Sequence, residues 1–283
     1  MILKKDNNME LIHGDCLEKM KTIPDQSIDM ILCDLPYGTT TCKWDVIIPF
    51  ELLWEQYKRI IKDHRAIILF GSEPFSSHLR MSNLPWFKYD WYWRKSRPSG
   101  YVNAKLKPLK DIETISIFSN GYTANGSSEN MIYHPQGLRK VDKEWCRPKN
   151  YMSGDKGVNP ARESNQLSRV IENEGYPRQV LDFKNQNNNV IHPTQKPVDL
   201  CEYLILTYSN EGETVLDNCM GSGSTGVACI NTKRDFIGIE KDDNYFEIAK
   251  NRIMEQYKLN IQINEENSQN KQEAEKSCPR SKE

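Results

Sequence analysis

Asp34, Leu35, Pro36, Tyr37 and Gly38 follow a run at 27–33 that reads as a strand. The sequence thereby places a carboxylate, a stiffened backbone and an aromatic ring at one strand end. Proline restricts the residue before it, which fixes the direction of the Leu35 carbonyl. Asp34 and that carbonyl are two acceptors that can draw hydrogens from an amino group whose lone pair is delocalised into a heteroaromatic ring, so that the nitrogen pyramidalises and becomes nucleophilic. Tyr37 offers a ring on which a flipped base can stack. The same residues also fit an ordinary strand-end turn with a packed tyrosine.

A second run supports the chemical reading. Asp217, Asn218, Cys219, Met220, Gly221, Ser222, Gly223, Ser224, Thr225 and Gly226 carry the G-x-G-x-x-G spacing between a strand and a helix, where backbone can approach a ligand at a helix N-terminus. Glu240, nineteen residues past Gly221, ends the next strand and can accept hydrogen bonds from ribose hydroxyls. A dinucleotide fingerprint normally begins directly after its strand, whereas four residues intervene here and Asp217 would face a pyrophosphate. A carboxylate suits an ammonium better. S-adenosylmethionine, with an aminoacyl ammonium and no phosphate, is therefore the expected cofactor, and a nicotinamide dinucleotide is the competing one.

Positioning these loops takes alternating strands and helices. The pattern predicts strands at 11–13, 27–33 and 66–70, and a helix at 50–61 with apolar residues at 50, 53, 54, 57, 60 and 61. Strands continue through 91–118. A helix follows Pro197, then a strand at 214–216, a helix at 224–231, a strand at 236–239 and a helix at 242–257. Such alternation predicts an α/β fold with a mostly parallel sheet. Residues 121–189 are rich in Asn, Ser, Gly, Pro and charge and read as an inserted module. The expected division is 1–120 and 190–258 as two halves of one domain, 121–189 as the insert, and 259–283 as a polar disordered tail.

Composition fits a globular chain: 37% hydrophobic and 27% charged residues over 283 positions. No apolar run is long enough for a membrane helix, so no membrane partner and a cytoplasmic location are expected. The eight cysteines form no CxxC pair and no histidine stands at ligand spacing from them, so they read as reduced thiols and no metal is expected. Net charge is −1, but residues 91–190 hold 16 Lys and Arg against 10 Asp and Glu, leaving 22 against 29 elsewhere. The middle of the chain is its basic part.

In motif order the chain resembles the β-group amino DNA methyltransferases, bacterial and phage site-specific enzymes in which a DPPY-type catalytic motif comes first and the cofactor motif last. DLPYG at 34–38, HPTQKP at 192–197 and DNCMGSGSTG at 217–226 carry the resemblance, which covers roughly 10–257. It implies a Rossmann-like methyltransferase fold. It also implies that His192, Thr194 and Lys196 join Asp217, Gly221, Gly223 and Thr225 around the methionine moiety, with Asn218 and Ser224 in the same loop. Lys196 is expected to pair with the cofactor carboxylate, and Asp15 to lie near its adenine.

The resemblance further implies that 121–189 recognises the target. Asp in the first catalytic position favours the adenine amino group, with cytosine's amino group as the alternative. Leu35 departs from the family's usual first proline. Carbon methylation of cytosine needs a Pro-Cys nucleophile, which the chain lacks.

Double-stranded DNA is the expected partner, bound by a monomer or homodimer. Arg94, Lys95 and Arg97, after the aromatic cluster Trp91, Tyr92 and Trp93, and then Lys105, Lys107 and Lys110, are expected to track phosphates. The bland alternative makes the tryptophans core and the lysines solvated surface. An RNA or protein methyltransferase and an inactive nucleic-acid-binding relative are the other classes to exclude.

Overall fold

The computed structural model describes residues 2–4, 8–39, 45–146, 168–185 and 195–277. Its elements, in chain order, are β1 (Ile2–Lys4), β2 (Asn8–His13), α1 (Cys16–Met20), β3 (Ile28–Cys33), α2 (Phe50–Ile60), β4 (Ile61–Gly71), α3 (Phe75–Ser82), β5 (Phe87–Ser99), β6 (Lys110–Phe118), β7 (Arg139–Cys146), β8 (Ser168–Glu174), β9 (Val180–Phe183), α4 (Val198–Tyr208), β10 (Thr214–Asp217), α5 (Ser224–Asn231), β11 (Asp235–Glu240) and α6 (Asp243–Ser277). A single turn of 3-10 helix, Tyr101–Asn103, lies between β5 and β6.

All six residues of β3 are buried, the mark of a strand covered on both faces. Met30 and Leu32 enter one core with Ala66, Ile68 and Phe70 of β4, and that core is closed by Leu200, Leu204 and Tyr208 of α4 and Val227 and Ile230 of α5. Ile31 and Cys33 enter the opposite core with Ile67 and Leu69, closed by Leu53, Trp54 and Tyr57 of α2 and Phe75 and Leu79 of α3. Period-two alternation in the central strands thus splits the apolar residues between two helical layers. This is the Rossmann-like α/β architecture expected.

Among the described residues the main sheet has nine strands, in the order β1-β2-β11-β10-β3-β4-β6-β5-β9. Strands β2, β11, β10, β3 and β4 run parallel, while β6 is antiparallel to both β4 and β5. The sequence reading missed α3 and the edge strand β9.

The chain forms two compact units, 1–134 with 179–283, and 135–178. The second contains the antiparallel hairpin of β7 and β8. It is narrower than the insert read at 121–189. Residues 121–134 belong to the larger unit because Met131 is buried in its core, the His134 amide donates to the Thr207 carbonyl at 2.7 Å, and Ile132 donates to His64. Residues 180–183 likewise pair with β5. From 259 onward, where a disordered tail was expected, α6 continues to Ser277. Its sequence contains neither Gly nor Pro and is rich in Glu, Gln and Lys, so polarity there follows helix propensity rather than opposing it.

Candidate active site

Four adjacent parallel strands end in a row of acids. Asp15 follows β2, Glu240 ends β11, Asp217 ends β10 and Asp34 follows β3. In open α/β sheets ligands bind at this carboxyl edge. A cleft of about 640 Å³ runs along it and is lined by all four carboxylates, the glycine loop, Lys196 and the rim residues Val46–Pro49. That volume lies within the range of small-molecule sites, roughly 300–1,000 Å³.

The glycine loop is built as its spacing predicted. Gly221 and Gly223 have φ of 50° and 78°, a region that side chains disfavour. A Cβ at Gly226 would come within 2.5 Å of Ile253 and 2.8 Å of Phe236, so the third glycine lets α5 pack closely on α6 and the sheet. Asp217 is buried. Its Oδ2 accepts from Thr225 Oγ1 at 2.7 Å and its Oδ1 from the Cys219 amide at 3.1 Å. Burial pushes its carboxyl up to about 7, against the pull of those two donors. A cation reaching Asp217 through the cleft would bind its ionised form.

Several loop residues are committed to the loop itself. Asn218 Oδ1 accepts from the Tyr57 hydroxyl at 2.6 Å in the core, so its side chain holds β10 to α2. Glu240 Oε2 accepts from the Gly221 amide at 2.9 Å, and Oε1 from the amides of Lys241 and Asp242. It braces the loop as well as lining the cleft. Ser224 Oγ lies 3.1 Å from Arg252. Asp15 caps α1 through the Leu17 amide at 3.0 Å and meets Lys241 Nζ at 3.1 Å. The α6 start, with Asp242, Asp243 and Tyr245, also lines the cleft and was missed in the sequence. His192 and Thr194 lie outside the described residues.

At the other end of the cleft Asp34 sits in a charged cluster that the sequence did not reveal. Its Oδ2 lies 2.5 Å from Lys196 Nζ, and the same ammonium lies 2.9 Å from Glu113 Oε1. Tyr37 donates to Asp34 Oδ1 at 2.6 Å and approaches Glu113 Oε1 at 2.9 Å. Lys95 reaches Glu113 Oε2 at 2.6 Å. Two carboxylates and two ammoniums thus balance around one phenol. Lys196, expected at the cofactor's carboxylate, pairs with Asp34 and also lines the cleft.

The four groups are not equivalent. Burial alone would raise Glu113, but Lys196 and Lys95 hold it down to about 2. Burial raises Asp34 above the usual carboxylate range, Lys196 opposes this and Glu113 adds to it. Lys196 is opposed by burial yet held charged by both acids. Glu113 is therefore the fixed anion, while Asp34, with a quarter of its side chain open, faces the cleft. The Tyr37 ring stacks on Phe75 at 4.9 Å and 27°, so one face is already covered. Leu35 is buried in the α2-side core and Pro36 lines the cleft.

The basic residues divide by strand face. Trp91 and Trp93 are core, and Lys95, two residues further along β5, turns inward to Glu113. Lys95, expected to track phosphates, thus joins the cluster around Asp34 and Glu113. Arg94 forms a two-point pair with Asp182 at 2.6 and 2.8 Å, which already occupies its guanidinium. Arg97, Lys105 and Lys107 are exposed. Lys110, also exposed, donates to Ser72 Oγ at 2.7 Å.

Cys16, Cys33, Cys201, Cys219 and Cys229 are free thiols, with Cys33, Cys201 and Cys229 buried and Cys16 and Cys219 on the cleft wall. Among the described residues no group of three or more His, Cys, Asp or Glu is arranged to hold a metal ion. None of the described helices is long and apolar enough to cross a membrane.

Comparison with known proteins finds one family in sequence and similar folds among solved structures. Residues 28–251 match a family described as DNA methylase, the N6 and N4 methyltransferases. The DNA adenine methyltransferase YhdJ of Escherichia coli (strain K12) is 30% identical over 258 residues, 86% of this chain and 82% of that protein. The Type II methyltransferase M.HinfI of Haemophilus influenzae is 28% identical over 279 residues, 87% and 68% of the two. In fold, the chain is similar to the M1.HpyAVI-SAM complex, with a TM-score of 0.58 and 24% identity over 87% of this chain and 98% of that one. It is also similar to the PvuII DNA methyltransferase (cytosine-N4-specific), with a TM-score of 0.60 and 15% identity over 90% and 93%.

Proposed function

The chain belongs to this DNA methylase family and uses S-adenosylmethionine to methylate an exocyclic amino group in DNA; from that premise we propose that its target is the N6 amino group of adenine in duplex DNA, reached by base flipping. The observation that carries the reading is the carboxylate of Asp34, open to the cleft at the head of the clamp and fixed by Lys196 and Tyr37. The adenine enzyme YhdJ, related over most of both chains, supports the same target.

Bound S-adenosylmethionine supplies an electrophilic methyl group on a sulfonium. Asp217 would hold its ammonium, and Glu240 and Asp15 would offer acceptors to its hydroxyls. On the base, Asp34 and the Leu35 carbonyl accept the two amino hydrogens, which localises the lone pair on nitrogen. An amino nitrogen that gains a methyl group must shed a proton, and Asp34 would take it. Its raised pKa suits that acceptance. Tyr37 provides the surface against which the flipped base rests. The unit at 135–178 is assigned to target recognition.

Incubation with methyl-labelled S-adenosylmethionine and unmethylated DNA, followed by digestion and mass spectrometry, yields N6-methyladenine on this reading. N4-methylcytosine would keep the chemistry and reverse the base. No label on DNA, with cofactor binding intact, would point to RNA or to an inactive relative.

Two further outcomes follow. Protonation of Asp217 competes with the cofactor ammonium. Affinity measured by calorimetry is therefore full above about pH 7 and falls as pH drops below it. Asp217→Asn weakens binding at pH 8 by roughly 10- to 100-fold, the span of a charge-assisted hydrogen bond, and flattens the pH dependence; a variant that kept the slope would exclude Asp217 as its source. For DNA, Lys105→Gln with Lys107→Gln lowers the slope of log K against log salt by about 2, roughly 0.9 per phosphate contact. An unchanged slope would remove both lysines from the interface.

A further inference from the structure

The hairpin joining β5 to β6 closes at the pair Ser99 and Lys110, leaving 100–109 as its tip. Three large apolar side chains stand out in solvent there: Val102 at 98% exposure, Leu106 at 85% and Tyr101 at 65%. Folding gives little reason for them, since most of their surface stays in solvent. The tip is nevertheless a built turn. Gly100 adopts φ of 93°, the Asn103 amide donates to the Gly100 carbonyl at 3.0 Å, and the Leu106 and Lys107 amides both donate to the Asn103 carbonyl, at 2.9 and 3.1 Å.

The surroundings of the tip are cationic. No Asp or Glu occurs between 91 and 110. Arg94 and Lys95 are taken by Asp182 and Glu113, while Arg97, Lys105 and Lys107 form no ion pair among the described residues and are exposed. The base of the hairpin touches the catalytic clamp. Lys110 Nζ donates to Ser72 Oγ at 2.7 Å, and Glu113, three residues further along β6, meets Tyr37 at 2.9 Å. At about 3.3 Å per strand residue, the tip begins some three base-pair steps beyond the clamp, taking a step as about 3.4 Å.

Apolar side chains flanked by cations and displayed on a preformed turn match the chemistry of an opened duplex, with bare base faces between two phosphate rails. Flipping a base leaves a gap in the stack, and apolar wedges inserted between base steps hold such distortions open. We propose that the turn at 101–107 is a wedge, in which Tyr101, Val102 and Leu106 enter the stack vacated by the target base while Arg97, Lys105 and Lys107 hold the flanking phosphates. This rests on the reading of the chain as a base-flipping methyltransferase of duplex DNA.

The test uses the full-length protein, with Val102→Ser combined with Leu106→Ser, on a duplex carrying the site mapped by the methylation assay. A second duplex places an abasic site opposite the target base, so that the base leaves the stack without help. The wedge variant is expected to lose roughly tenfold or more in kcat on the matched duplex, to keep the wild-type KM for S-adenosylmethionine, and to regain activity to within about twofold of wild type on the abasic duplex. With 2-aminopurine at the target position, its fluorescence gain on the matched duplex is smaller than that of wild type.

Full activity on the matched duplex overturns the wedge, as does a loss that the abasic partner does not restore. A change in sedimentation coefficient without DNA reassigns the patch to contact between copies of this chain and equally overturns it. If the wild-type protein methylates no DNA at all, the reading beneath the wedge has failed and the wedge falls with it. If wild type is active and the variant is indifferent, only the wedge has failed.

Discussion

Asp34→Ala reduces the rate of methyl transfer by on the order of 10²–10³ or more, the usual cost of removing a preorganised polar group from a reacting centre. Calorimetry on the same variant finds S-adenosylmethionine affinity within about twofold of wild type, because the two sites use different loops. Asp34 follows β3, whereas the cofactor contacts assigned to Asp217, Glu240 and Asp15 follow or end β10, β11 and β2. The variant should fold: Lys196 retains Glu113 at 2.9 Å, so no ammonium is left without an anion. Asp34→Asn, which keeps the shape and one acceptor oxygen but replaces the charge, falls between wild type and Asp34→Ala. If Asp34→Ala lost cofactor binding in proportion to activity, the aspartate would be holding the sheet edge rather than the amino group.

How far the site could be read from the chain depended on whether its chemistry is local. Asp34, Pro36 and Tyr37 are neighbours at a strand end, and Gly221, Gly223 and Gly226 are spaced by the turn they must make, so a short window of sequence contains them. Glu113 has no such window. It sits in an ordinary run, DIETISIF, and becomes part of the site only because β6 inserts antiparallel beside β4 and places Thr114 opposite Gly71. That pairing is long-range, and nothing near residue 113 announces it.

Lys95 was legible in principle. Trp91 and Trp93 mark the inward face of β5, and Lys95 continues the same period of two, so grouping it with its sequence neighbour Arg94 mixed opposite faces. The insert's limits were blurred for the converse reason. Composition is polar throughout 121–189, but a single buried methionine at 131 and four residues of edge strand at 180–183 return its flanks to the larger unit. The helical tail was misread because polarity alone was taken to mean disorder.

Glu113 holds two ammoniums, so its replacement is expected to destabilise the fold. Glu113→Gln leaves Lys95 without its carboxylate and Lys196 with Asp34 alone, and breaking a buried pair in this way costs about 3–5 kcal/mol, roughly 6–20 °C in Tm for a chain of this length. The sign of the pH effect separates this from nonspecific damage. Glu113 is held at about 2 in the fold against 4.5 ordinarily, so its contribution is fully present above about pH 4.5 and is lost as pH falls toward 2. The variant therefore loses less stability than wild type across that window.

Activity moves in a second, independent way. Removing the Glu113 charge relieves Asp34 of a repelling neighbour and gives it a larger share of Lys196, so the pKa of Asp34 falls and the acid limb of the kcat profile shifts to lower pH. A merely loosened fold would lower kcat at every pH and leave the limb in place. Adding Lys95→Met to Glu113→Gln removes the surplus charge as well. The double variant recovers part of the lost Tm while retaining the shifted limb, which places charge balance, rather than the shape of residue 113, at the root of both effects.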